Sequence, residues 1–274
     1  MIKKFDYEEP ICPLSDGKAF YYPNEDNPSG RIPLNRIIEK VDYYYGKNDY
    51  KEAKKILLYW MEEATALNDK RGQLELLNEL IGFYRFVNDK DNGLDVVSKA
   101  LKLQEELGQA NLVSGATILI NCATAYKAFG LCDLGLPLYQ KAEEIYLKLL
   151  KKDDSRFGGL YNNMALTYVD LKMFDKAEEC YYKSLYVMKD VDQGEAECAI
   201  TYINLAHMYF DSDKEDKVLD CMEKAYQLLK SDKLNHNGYY AFVLDKCAPS
   251  FKYFGYDSIY EEFIKESKEI YERS

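Results

Sequence analysis

An aromatic residue recurs at a nearly constant interval along most of this 274-residue sequence. The successive intervals are 40, 42, 42, 41 and 42 residues. The recurring residues are Tyr44, Tyr84, Tyr126, Tyr168, Tyr209 and Phe251. Periods of roughly 20–50 residues are typical of repeat arrays, in which each unit packs mainly on its neighbours. Six such units restrict the chain to an array of repeats more strongly than any other feature of the sequence.

Residues at fixed distances from each aromatic predict what one repeat looks like. In the fourth repeat, Ala165 lies three residues before the aromatic, Ala177 nine residues after it and the bulky Tyr181 thirteen after it. Small residues facing large ones allow two helices to approach closely. Each repeat therefore reads as two amphipathic helices joined by a turn.

These residues resemble the tetratricopeptide repeat, whose usual period is about 34 residues. A period near 41 implies about one extra turn in each helix, as in the long repeats of kinesin light chains, of mitotic-spindle adaptors and of bacterial receptors for secreted signalling peptides. The resemblance covers about residues 34–272. It implies an all-α fold, an α-solenoid of about six repeats and roughly twelve antiparallel helices, with a concave groove that binds a partner.

The first 33 residues differ from the rest because they contain five prolines, which exclude a long helix. We predict a Pro-rich, non-helical arm over residues 1–33 and the solenoid over residues 34–274. The Phe20-Tyr21-Tyr22 cluster in the arm would be costly to leave in water, so we expect its rings to pack against the solenoid. It could pack in the groove as an internal ligand or on the convex side as a cap. Near the other end, Pro249 is expected to interrupt the first helix of the last repeat.

Charge and cysteine content limit the partners and the compartment. A net charge of -11 opposes binding to nucleic acid or to anionic membranes, since both attract clustered lysine and arginine. No apolar run is long enough for a signal peptide or a membrane span. The seven cysteines contain no CxxC pair, which favours free thiols, a reducing compartment and no bound metal. We therefore expect a cytoplasmic protein.

The sequence offers little for catalysis. Its two histidines, His207 and His236, are 29 residues apart on different elements, and no nucleophile motif accompanies either. Neighbouring acids such as Glu143 and Glu144 diverge on a helix by about 100° and cannot share a substrate. Phosphate-binding and metalloprotease motifs are also missing. The expected protein is not an enzyme, has no catalytic residues and carries no cofactor.

The candidate binding residues lie on the first helix of each repeat, five residues before the aromatic. That position holds Glu39, Glu79, Asn121, Asn163, Asn204 and Lys246. An amide can donate to and accept from the backbone of an extended peptide. In the long-repeat relatives asparagines at this position hold a peptide backbone, so the resemblance implies this role for Asn121, Asn163 and Asn204. Alternatively, these amides bond neighbouring helices.

Further candidates lie near the asparagines on the same predicted face: Thr124, Lys127, Leu166, Asp170, His207 and Phe210. Over the whole predicted groove acids outnumber bases, which favours a neutral or basic peptide. The acids are Glu39, Asp42, Glu75, Glu79, Asp170, Asp211 and Asp245, and the bases are Arg85, Lys127, Lys246 and Lys252. The leading hypothesis is a non-catalytic interaction module that binds an extended peptide or partner segment in the concave groove. Two alternatives stay open: the sensory half of a peptide-responsive bacterial regulator, and a scaffold that self-associates through its end repeats.

Overall fold

The structure is a computed structural model that describes residues 31–273. Twelve α-helices and no strand occur in this range, which confirms the predicted all-α class. The helices are α1 (Leu34–Gly46), α2 (Tyr50–Ala66), α3 (Lys70–Phe86), α4 (Lys90–Glu106), α5 (Val113–Ala128), α6 (Cys132–Leu149), α7 (Arg156–Asp170), α8 (Phe174–Met188), α9 (Gly194–Asp211), α10 (Val218–Leu229), α11 (Gly238–Tyr253) and α12 (Asp257–Arg273). The predicted Phe20-Tyr21-Tyr22 cluster and most of the N-terminal arm lie outside the described residues.

The described helices form two compact units. The first unit contains α1 to α6 and the second contains α7 to α12. In each unit the helices pack as consecutive pairs, α1 with α2 through to α11 with α12, as the repeat pattern predicts. Both units bury branched side chains and large rings: Leu57 and Tyr139 are completely buried in the first, and Leu205 and Phe263 in the second.

The predicted register of the helix pairs is confirmed by burial in the fourth repeat. Ala165, Ala177 and Tyr181 are completely buried between α7 and α8. Ser184, at the next small position, donates its hydroxyl to the Gly158 carbonyl at 2.9 Å. The position nine residues after the aromatic must be small elsewhere too: a Cβ atom on Gly93 would lie 2.5 Å from the Phe129 ring.

Three turns of the first unit contain the same two-residue sequence, an asparagine followed by an aspartate. The asparagines Asn48, Asn68 and Asn88 have φ values of 56°, 53° and 55°, and the left-handed region tolerates asparagine better than most residues. Each following aspartate, Asp49, Asp69 or Asp89, accepts a hydrogen bond from the backbone N–H three residues on and so caps the next helix. The three pairs are 20 residues apart, which divides the 40-residue repeat into equal halves.

The turns of the second unit are built differently. Lys172, Gln193 and Asp213 take the left-handed conformation there, with φ values of 60°, 62° and 57°. No side chain caps α8, α9 or α10, whereas Asp154 accepts from the Arg156 N–H at the start of α7 at 3.1 Å. Asn237 caps α11 by accepting from the Tyr240 N–H at 3.1 Å. Packing of the apolar faces therefore fixes the starts of α8, α9 and α10.

Pro249 does not interrupt its helix, contrary to the expectation from sequence. Helix α11 runs without a break from Gly238 to Tyr253. A proline inside a helix removes one N–H donor and strains the preceding turn. Here Cys247, Ala248 and Phe251 are buried on either side of it, and this packing holds the backbone in the helical conformation.

Six of the cysteines lie in the described residues, and all six are buried free thiols. Cys12 lies outside that range. Between residues 31 and 273 no helix combines the length and the apolar character needed to cross a membrane. Over the same residues, no group of three or more His, Cys, Asp or Glu side chains is arranged to hold a metal ion.

Candidate functional site

The candidate surface lies on the first helix of each pair; we call α1, α3, α5, α7, α9 and α11 the A helices. On α7 the accessible side of the helix includes Gly159, Leu166 and Asp170, which are spaced by seven and four residues. Residues with these spacings share one face of an α-helix. Asn163 lies between them on the same face, four residues after Gly159 and three before Leu166.

The next two A helices carry equivalent faces. On α9 the face contains Glu197, Asn204, His207 and Asp211, with the exposed Phe210 at its edge. On α11 it contains Tyr239, Phe242, Lys246 and Tyr253. Helix α9 contacts both α7 and α11, so the three faces lie side by side. We call this surface the second-unit face.

Two of the three predicted asparagines pair with an asparagine on the preceding A helix. Asn204 on α9 donates its Nδ2 to Oδ1 of Asn162 on α7 at 3.1 Å. In the first unit, Asn121 on α5 donates to Oδ1 of Asn78 on α3 at 2.8 Å. The alternative of bonds between neighbouring helices therefore holds for both residues. Each amide keeps hydrogen-bonding capacity beyond this one bond.

The acceptors Asn78 and Asn162 are not among the residues predicted from the sequence. Both lie six residues before their repeat aromatic, directly before the position that holds the predicted asparagines. They are 84 residues apart, which is two repeats. That spacing was the signal that could have found them.

Asn163, the third predicted asparagine, lacks such a pair. Its side chain is 4% exposed, and its Oδ1 atom accepts no hydrogen bond from any described residue. A buried carbonyl oxygen without a donor costs free energy that a partner N–H can recover. Asn163 is thus an unsatisfied acceptor on the second-unit face.

The two other predicted residues of the first unit lie inside the protein. The hydroxyl of Thr124 lies 2.8 Å from the Ile120 carbonyl oxygen and 2.8 Å from the Tyr139 hydroxyl, which ties α5 to α6. Lys127 is 6% exposed, so only a small part of its side chain reaches solvent. In the second unit, by contrast, Leu166 is half-buried and Asp170 is exposed on the second-unit face.

Four rings gather at the C-terminal ends of α9 and α11, and we call them the aromatic cluster: His207, Phe210, Tyr253 and Phe254. The His207 ring centroid lies 5.4 Å from that of Tyr253 and 4.9 Å from that of Phe254. Phe210 meets both of these rings edge-on, at 5.8 Å and 5.9 Å. Phe210 is 38% and Tyr253 41% exposed, so the cluster presents ring surface to solvent.

His207 contributes an uncharged ring to this cluster. Its Nε2 atom lies 2.7 Å from the Ser250 hydroxyl, which links α9 to α11. Burial lowers the pKa of His207 to about 4, against the opposing attraction of the Asp211 carboxylate. The imidazole is therefore neutral at physiological pH.

Three carboxyl groups on the A helices have raised pKa values, one in the second unit and two in the first. In the second unit, burial raises the pKa of Glu197, although the Tyr239 hydroxyl donates to it and Lys246 lies nearby. In the first unit, burial, with help from the Glu79 charge, raises the pKa of Glu75 to about 8. Burial and the charge of Asp42 raise the pKa of Glu79 to about 7.

Comparisons with known proteins identify the kind of repeat. Residues 157–231 match the family model described as tetratricopeptide repeat. No curated protein sequence matches the chain. The solved structure of BtubC (BKLC) from P. vanneervenii is 20% identical, covers 89% of this chain and 92% of its own, and superimposes with a TM-score of 0.52. A Podosopora anserina putative kinesin light chain with nearly identical TPR-like repeats is 14% identical, covers 73% and 96%, and has a TM-score of 0.53.

The predicted resemblance to tetratricopeptide and kinesin-light-chain-like repeats is confirmed by these matches. Together with the twelve paired helices, they also confirm the α-solenoid fold class for the described part of the chain. At such low identity the solved structures establish the fold alone. The function must be argued from the residues of this chain.

Proposed function

We propose that this protein is a non-catalytic interaction module that binds an extended protein segment on its A helices, chiefly on the second-unit face. Tetratricopeptide repeats generally serve protein–protein interaction, and the fold is consistent with that role. The six buried free thiols suit a reducing compartment, so we place this activity in the cytoplasm.

The observation that carries the proposal is Asn163 and its position. Its buried Oδ1 acceptor lies in line with the accessible Leu166 and Asp170, and Asn204 occupies the equivalent place on the neighbouring helix. An extended segment that crosses α7 and α9 would offer N–H groups to Asn163 and to the free capacity of Asn204. Leu166 would contact an apolar side chain of the segment. Asn121 is proposed separately, as a backbone contact of a segment bound to the first unit, through its remaining amide atoms.

A selection experiment tests this function without knowledge of the natural partner. A phage-displayed library of random dodecapeptides would be selected on the whole immobilised chain. The enriched peptides would then be synthesised and titrated by fluorescence anisotropy. We expect binding that Leu166→Arg removes, because a long charged side chain then occupies the middle of the second-unit face.

The matched control is Leu219→Arg on α10. Leu219 is 54% exposed on the second helix of its pair, so the substitution adds the same charge to the same unit away from the A helices. Leu219→Arg should leave the affinity unchanged. Failure to enrich any peptide, or enriched peptides that tolerate Leu166→Arg and are lost with Leu219→Arg, would overturn the proposal.

A further inference from the structure

The second-unit face ends at the aromatic cluster, with the Asp211 carboxylate beside it. We propose that the aromatic cluster and Asp211 form a subsite for an arginine side chain of the bound segment. The guanidinium plane would stack on the face of Phe210, beside the edge-on ring of Tyr253, while its charge meets the Asp211 carboxylate. This inference rests on the proposed function and specifies the chemistry of the partner.

The rings supply the first half of the subsite. Phe210 and Tyr253 contact each other edge-on at 5.8 Å and both keep about two fifths of their surface exposed. Exposed ring surface attracts a cation through the negative face of the ring. His207, whose Nε2 atom hydrogen-bonds with the Ser250 hydroxyl, is uncharged at neutral pH. It therefore does not repel that cation.

The carboxylates supply the second half. Asp211 is exposed and lies four residues after His207 on the same side of α9, where its charge acts on the His207 ring. It forms no ion pair with any described residue. Asp213, Glu215 and Asp216 follow in the same turn. The two lysines of this turn, Lys214 and Lys217, instead pair with Glu178 on α8, at 3.5 Å and 3.2 Å. The turn that follows Phe210 therefore carries more acidic than basic residues.

The charge distribution along the chain favours the same occupant. Residues 151–274 contain 24 acidic and 17 basic residues, a net charge of -7, whereas residues 31–150 contain 17 and 16, a net charge of -1. A basic segment is thus attracted to the second unit rather than to the first. Arginine fits the subsite better than lysine, because its planar and weakly hydrated group stacks on a ring and donates N–H bonds to a carboxylate in its own plane.

The test uses three labelled peptides, each built from four copies of one triplet: Gly-Ser-Arg, Gly-Ser-Lys or Gly-Ser-citrulline. Citrulline keeps the planar shape of arginine without the charge. Each peptide is titrated against the whole chain by fluorescence anisotropy at about 0.1 M salt, where distant charges are largely screened. We expect the arginine peptide to bind about 5-fold more tightly than the lysine peptide, and the citrulline peptide to bind least.

Two substitutions locate the binding, each with a matched control. Phe210→Leu keeps an apolar side chain but removes the ring, and should weaken the arginine peptide about 5-fold. Tyr186→Leu, at a ring on α8 that is 70% exposed, should have no effect. Asp211→Asn should weaken binding about 3-fold to 5-fold. Asp175→Asn removes the same charge from the first turn of α8 and should leave the affinity unchanged.

The outcomes separate this inference from the proposed function. Equal binding of the arginine and lysine peptides, or equal losses for Asp211→Asn and Asp175→Asn, would show general attraction to an acidic unit and overturn the subsite. If the arginine peptide does not bind but the phage-selected peptides bind and depend on Leu166, the subsite fails and the function stands. If neither kind of peptide binds, both proposals fail.

Discussion

The first and second units contain the same succession of helix pairs, yet they end their helices by different means. In the first unit, Asn68 takes the left-handed conformation and Asp69 caps the following helix, and this solution recurs every 20 residues. In the second unit, Lys172 takes the left-handed conformation and no side chain caps α8. The starts of α2, α3 and α4 in the first unit are thus specified by local sequence, and those of α8, α9 and α10 in the second by tertiary packing.

The A helices differ between the units in a parallel way. The first unit buries the carboxyl groups of Glu75 and Glu79, which raises their pKa values towards neutrality. In the second unit α7 and α9 carry asparagine at the position equivalent to Glu79, as α5 does in the first, and α9 adds an uncharged His207 beside exposed rings. Proton uptake should therefore affect the stability of the first unit, while the second unit offers the more suitable surface for a partner.

The sharpest test of the turn comparison is Asp69→Ala. Asp69 is 7% exposed; its Oδ1 accepts from the Gly72 N–H and its Oδ2 from the Ile32 N–H, both at 3.0 Å. Loss of a buried cap that satisfies two donors should lower the free energy of unfolding by ~1–2 kcal/mol. Urea unfolding followed by the fluorescence of Trp60, the one tryptophan and a residue of the first unit, measures the change.

Asp175→Ala is the matched control in the second unit. Asp175 lies in the first turn of α8 but caps nothing, so its removal should change stability by less than about 0.5 kcal/mol when unfolding is followed by circular dichroism. Equal losses for Asp69→Ala and Asp175→Ala would mean that the caps do not distinguish the two units.

The recurring aromatics were sufficient to predict the helix pairs, because each repeat places its small and large residues at fixed distances from them. The continuation of α11 through Pro249 could not be predicted from this pattern, because it depends on the burial of Cys247 and Phe251 around the proline. The asparagines were recognised as a set, yet their hydrogen bonds depend on the offset between neighbouring A helices. The structure is needed to show that Asn204 donates a hydrogen bond to Asn162, whereas the Oδ1 atom of Asn163 accepts none from any described residue. The aromatic cluster joins residues about one repeat apart for the same reason.

The buried carboxyl groups of the first unit give a pH test. In the folded protein the pKa of Glu75 is about 8 and that of Glu79 about 7, above the unfolded value of about 4.3. The folded state then binds more protons than the unfolded state between these values, so stability falls as the pH rises through this window. Replacing both residues by glutamine should flatten the fall and stabilise the protein at pH 8 by on the order of 1 kcal/mol.

Glu62→Gln on α2 controls for the change in net charge, because Glu62 is exposed. Urea midpoints from Trp60 fluorescence at several pH values between about 5 and 9 supply the profile. A double variant that keeps the slope of the natural protein would refute the raised pKa values. A Glu62→Gln variant that flattens the slope equally would attribute the effect to net charge.

The smallest expected effect concerns the left-handed turn residues themselves. Lys172, with a φ of 60°, lies between α7 and α8, where its Cβ is disfavoured, whereas Asn68 has a φ of 53° and a side chain that tolerates this region. Lys172→Gly should remove the strain and stabilise the protein by roughly 0.5 kcal/mol, after the greater freedom of glycine in the unfolded chain is subtracted. Asn68→Gly should stabilise less or not at all. Thermal unfolding by circular dichroism measures both variants, with Lys172→Ala separating the loss of the lysine side chain from the release of the backbone. A Lys172→Gly variant no more stable than Lys172→Ala would mean that the uncapped turn of the second unit is unstrained, and that the two units differ in their caps alone.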